Sequence, residues 1–142
     1  MLLANFATLA TALFTGAAIY ISLVEHPARL LCPTAHAVEQ WRLSYKRATV
    51  LQASLAVAGS LLSIAAWLTG AGLVWLLAGL VLGSVVPFTL IAMWPTNKRL
   101  EDPCLDTTSA LARRLLVRWG QLHAVRSGLS LVALVLMLFA PA

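Results

Sequence analysis

Charged residues divide this chain into long apolar stretches. None occurs from Met1 to Val24, none from Ala48 to Asn97, and only Arg126 from Trp119 to Ala142. A membrane-spanning helix needs about 20 predominantly apolar residues. The first stretch fits one helix and the last fits another. The middle stretch is long enough for two, with Thr69-Gly70-Ala71-Gly72 as the break between them. The pattern predicts helices at 2–24, 48–68, 73–94 and 119–139. The fold class is therefore all-α, a single four-helix transmembrane domain spanning 1–142. In the connections, Thr34 is expected to cap a helix carrying Val38, Trp41 and Tyr45 at i, i+3 and i+7. Asp106 is expected to cap a second, with Leu111 and Leu115 inward and Arg113, Arg114 and Arg118 outward. These are amphipathic extensions that run into the spanning helices.

Composition agrees with this reading. The 142 residues are 61% hydrophobic and 11% charged, against roughly 45–50% and about 25% in soluble domains. The mean hydropathy is +0.88. The first segment has no basic leader and runs into Glu25-His26-Pro27, so it reads as a retained helix and not a cleaved signal.

A net charge of +5 raises the question of nucleic acid, but no binding module accompanies it. Arg29, Arg42, Lys46 and Arg47 fall in the first connection. Lys98, Arg99, Arg113, Arg114 and Arg118 fall in the third. The bias of basic residues toward cytoplasmic connections predicts a multi-pass protein of the cell membrane, with both connections in the cytoplasm and both termini outside. Cys32 and Cys104 each adjoin a proline in these connections, so no disulfide is expected there.

Polar residues within the apolar segments are costly and usually face a bundle interior. The first helix carries Thr8, Thr11, Thr15, Ser22 and Glu25, followed by His26; Gln52, Ser60 and Ser63 lie in the second. In the last, Trp119, His123, Arg126 and Ser130 share one face. Arg126 lies deep enough to require a partner, and Glu25 is the expected one. Gly79 and Gly83 form a small-residue stripe, suited to close packing in the bundle or to a homodimer. Pro87 is expected to kink the third helix. The tryptophans are read mainly as interfacial anchors.

Several pieces together resemble a known family. They are Gly16, Tyr20 and Glu25-His26-Pro27-Ala28-Arg29; Tyr45-Lys46-Arg47; Pro87-Phe88-Thr89-Leu90 leading to Pro95-Thr96-Asn97-Lys98-Arg99-Leu100; and Trp119 with His123 and Arg126. The chain resembles the small membrane proteins that include the anthrone oxygenases, a family much of which is known only as a domain of unknown function. That resemblance implies a four-helix bundle. It also implies oxidation of a hydrophobic aromatic anthrone by molecular oxygen, with no cofactor and no metal. For such chemistry His123 would be the base with His26 in reserve, Arg126 would stabilise the oxyanion, and Asn97 would bond a ring carbonyl. Trp119 would stack on the substrate, with Glu25 and Tyr45 beside it. Two other classes fit the same residues: a structural or accessory membrane protein, and a haem or quinone carrier using His26 and His123.

Overall fold

A computed structural model describes residues 1–140. Four helices are long and apolar enough to cross a membrane: α1 (Leu2–Leu31), α2 (Thr34–Ala71), α3 (Leu73–Glu101) and α4 (Ala110–Leu138). They form an antiparallel ring in which α1 and α3 each pack between α2 and α4. No strand occurs among the described residues. Large apolar side chains such as Leu9, Leu61, Leu77 and Leu131 stand on the outside, the reverse of a soluble surface.

The number of helices and their order follow the sequence pattern, and α2 and α4 include the amphipathic extensions expected to run into them. α1 and α3 run well past the expected bounds, to Leu31 and Glu101. Charge marks where hydrocarbon ends, and a helix can continue into water. With 38 residues, α2 is about 57 Å long at 1.5 Å per residue, against a hydrocarbon core of roughly 30 Å. The break between α2 and α3 falls where expected. Gly70 has φ 94° and Gly72 φ 100°, a left-handed backbone that side chains with a Cβ rarely adopt.

Both expected caps are corrected. Thr34 is the first residue of α2 and follows Pro33, with no side-chain cap bond. Ser109 caps α4, its Oγ accepting from Ala112 N at 3.1 Å. Asp106 instead accepts from the backbone N and the Oγ1 of Thr108, at 2.9 and 2.7 Å. Those two donors hold its carboxyl below the usual range. The buried stripe of α4 runs through Ala112, Leu115, Leu116 and Trp119, which leaves Leu111 outside it.

The core has three tiers. Ala7, Ala66, Trp75, Ala78 and Met137 fill the tier nearest the termini. Phe14, Ala18, Ala56, Leu82, Val85 and Ala133 fill the middle. Trp41, Met93, Leu100, Leu116 and Trp119 dominate the tier at the basic end. Most tryptophans are therefore not interfacial anchors: Trp41 is 0% exposed, Trp119 6% and Trp75 8%, while Trp94 is 46% exposed, with Lys98 Nζ 4.7 Å from its ring.

Small residues let the middle tier close. A Cβ on Gly59 would meet Leu82 and Thr11 at 2.8 and 2.9 Å. Gly79 and Gly83 face Ser60 on α2 of the same chain. Ser60 Oγ donates to Gly79 O at 2.7 Å, and Ser63 Oγ to Trp75 O at 2.6 Å. The chain's own second helix thus packs against this stripe. Thr8 and Thr11 bond back to the carbonyls of Ala4 and Ala7, so that part of the α1 stripe serves helix packing.

Gly79→Val would press against the Ser60 carbonyl and Ser63 Cβ, which a Cβ meets at 3.1 and 3.2 Å. A loss of about 1–3 kcal/mol in reversible detergent unfolding is expected from such overpacking. Gly16→Val, with open space around it, should change much less.

Candidate functional site

Two widened turns shape the basic end. Ile21–Glu25 and Thr89–Met93 are π-helical, and each is followed by an X-Pro pair. His26 N–H reaches back to Ile21 O, and Trp94 N–H to Thr89 O. The next residues, Pro27 and Pro95, have no N–H and would clash with a carbonyl one ordinary turn back. A wider turn accommodates both facts. In α1 the turn carries Ser22 and Glu25 and leads directly to His26 and Arg29.

Glu25 does not pair with Arg126. It accepts from Arg29 Nη2 at 2.6 Å, one turn along the same helix. The expected pair does not form because α1 continues to Leu31, which makes Glu25 and Arg29 i, i+4 neighbours. Arg29 is itself buried. It also donates to Gln40 Oε1, to Ser44 Oγ at 3.2 Å and to His26 Nδ1 at 3.1 Å. A guanidinium only donates, so His26 Nδ1 accepts and its proton lies on Nε2. That Nε2 donates to Leu116 O at 3.0 Å. With both ring nitrogens engaged, His26 is a brace between α1 and α4. The contact is close: a Cβ on Gly120 would stand 2.5 Å from the His26 ring.

Trp119 stacks on His123 with centroids 4.8 Å apart and contacts the tilted ring of His26 at 5.0 Å. The Trp41 ring meets it edge-on at 5.9 Å and stacks on Tyr45 at 4.6 Å. The two histidines therefore bracket an indole, and do not form the facing ligand pair that the haem reading needed.

Arg126 donates from Nη2 to Gln52 Oε1 at 2.7 Å and lies 5.3 Å from the Phe14 ring centroid. His123 Nδ1 is 3.0 Å from Ser22 Oγ. Nε2 of His123 makes no hydrogen bond among the described residues.

His123, Arg126, Trp119, Trp41, Tyr45 and Glu25 all line one cavity of about 50 Å³, with Arg29, Gln52 and Thr49 among its other walls. Of the expected site residues, Asn97 and His26 do not line it. Asn97 Nδ2 donates to the Tyr45 hydroxyl at 3.0 Å, so Asn97 holds a lining residue from behind. Trp41, Gln52, Arg29 and Ser22 enter the site without having been singled out for it. Gln52 did carry a signal, as one of the polar residues in a charge-free segment.

Three lining residues hold buried N–H groups without an acceptor: Trp41 Nε1, Trp119 Nε1 and Arg126 Nε. Buried donors are nearly always satisfied. Among the described residues no group of three or more His, Cys, Asp or Glu side chains is arranged to hold a metal ion.

A family model described as anthrone oxygenase matches residues 41–136. The chain belongs to the anthrone oxygenase family. A curated relative is the anthrone oxygenase tpcL of Aspergillus fumigatus, 46% identical over 70 residues. That alignment covers 47% of this chain and 44% of the relative, less than half of its length. No solved structure matches. The family match begins at Trp41 and takes in Tyr45, Gln52, Asn97, Trp119, His123 and Arg126. In this anthrone oxygenase family member, Glu25, His26 and Arg29 precede the matched stretch.

Gln52→Leu should lower stability by roughly 1–3 kcal/mol, because it leaves a buried guanidinium short of an acceptor. A double-mutant cycle should show coupling between residues 52 and 126. The same cycle for 25 and 126 should stay within about 0.5 kcal/mol of additivity.

Proposed function

We propose that this chain catalyses oxidation of an anthrone-type aromatic ketone to the corresponding quinone, with molecular oxygen as the oxidant and no cofactor. The observation that carries the reading is the set of unpaired donors on Trp41, Trp119 and Arg126, around a cavity that His123 also lines. Donors without an acceptor, beside a basic nitrogen without a proton partner, suit a substrate that becomes an oxyanion when it loses a proton.

The chemistry follows from those groups. His123 Nε2 removes one hydrogen of the ring methylene as a proton. The electron pair spreads onto the ketone oxygen, which accepts from Arg126 Nε and the indole N–H groups. Oxygen takes electrons from this enolate and bonds to the methylene carbon. Loss of the second methylene hydrogen, with cleavage of the O–O bond, leaves a carbonyl and one water. One oxygen atom enters the product, and the other leaves as water.

Binding requires space. A cavity of about 50 Å³ is well below the roughly 300–1,000 Å³ of ordinary ligand sites. That small volume favours a second reading, in which the polar network only locks the helix ends. Beside the cavity, however, lies an apolar recess of about 130 Å³ between α2 and α3, which shares Thr49 and Arg126 with it. In the oxygenase reading, movement of the Arg126 side chain merges the two and admits a flat ring system from the lipid. The basic end faces the cytoplasm in this reading, by the distribution of Lys and Arg.

The test is turnover of a model anthrone by the full chain in detergent or nanodiscs. Quinone absorbance and oxygen uptake should rise in equal amounts. His123→Ala should lower the rate by about 10²–10⁴-fold, the span of general-base effects. No rate above background, or an undiminished rate in His123→Ala, would favour the locking role.

A further inference from the structure

We infer that Ser22 and Ser127 are positioning residues that set which nitrogen of His123 carries the proton, leaving Nε2 unprotonated toward the cavity. This rests on the reading of His123 as the base.

The argument is a count of hydrogens. Ser127 Oγ has one, and two carbonyls lie within reach: Ala18 O at 3.1 Å and His123 O at 3.0 Å. A carbonyl only accepts, and a serine within a helix commonly bonds back one turn. The Ser127 hydrogen is therefore spent on the backbone. Ser22 Oγ stands 2.9 Å from Ser127 Oγ and donates to it. With that hydrogen committed, Ser22 Oγ accepts from the ring nitrogen 3.0 Å away, His123 Nδ1. A neutral imidazole has one N–H, so the lone pair is on Nε2.

The opposite polarity fits worse. With Ser127 donating to Ser22 and Ser22 donating to Nδ1, the His123 proton would sit on Nε2. The walls of the cavity include Arg29 and Arg126, two guanidinium groups that can only donate, while the Oε1 atoms of Glu25 and Gln52 on the same walls already accept from them. An N–H among these cations meets repulsion, which a lone pair does not. Local backbone supports the same arrangement: Ser22 lies inside the π-turn of α1, so the widened turn before Pro27 is what presents its hydroxyl to α4.

The tautomer can be read without substrate. The full chain, labelled with ¹⁵N-histidine and held in nanodiscs, is measured by long-range ¹H–¹⁵N correlation near neutral pH, with His123→Ala identifying the signals. A protonated Nδ1 and a bare Nε2 are expected for His123. Ser22→Ala should shift the ring toward the other tautomer and lower kcat by about ten- to a hundredfold with little change in KM, the scale of a general base held in the wrong form. Ser22→Thr should keep both the tautomer and most of the rate. A wild-type His123 protonated on Nε2, or a tautomer unmoved by Ser22→Ala and by Ser127→Ala, would overturn the inference. The expected tautomer in a chain with no anthrone turnover would sustain the hydrogen-bond assignment and overturn the oxygenase reading alone.

Discussion

The basic end of the bundle depends on how closely α1 approaches α4 at Gly120. The His26 ring occupies the space that any Cβ would take there, and its Nε2–H reaches the backbone of α4 at Leu116. That approach traps Trp119 between two imidazoles and brings Ser22 within reach of His123 and Ser127. A larger residue at position 120 would part the helices, and the polar network would part with them.

Polar groups inside such a bundle are confined to a few arrangements. Arg29 and Arg126 are both buried, yet they are satisfied differently. Arg29 lies near the wet end and has a carboxylate, an amide, a hydroxyl and an imidazole around it. Arg126 lies deeper and has one amide oxygen and an aromatic face, with its Nε left over. The first is a saturated structural charge. The second keeps unspent donor capacity, which is why the chemistry proposed here turns on it.

Much of the architecture was legible in the sequence. Charge-free stretches gave the number of helices, and the Gly70 and Gly72 pair gave the turn. Trp119, His123 and Arg126 could be placed on one face by spacing alone. What was not legible has physical causes. Charge marks the edge of hydrocarbon, and α1 and α3 continue beyond it to Leu31 and Glu101. The acceptor of Arg126 is the amide of Gln52 and not the expected acid, because Glu25 is held by Arg29 on its own helix. Trp41 and Trp119 were read as anchors because anchors and core tryptophans lie at the same depth; only the third dimension separates Trp94 from them.

The π-turn at Ile21–Glu25 amounts to one surplus residue threaded into an α-helix. The same residues wound with no wide turn would leave everything after it turned by about 100° about the axis. His26 would then point away from Leu116 and Gly120 of α4, although every side chain of the network would still be present. The integrity of the site is thus a matter of counting as well as of composition, and an alignment that slides a gap across 21–25 would compare residues on different faces.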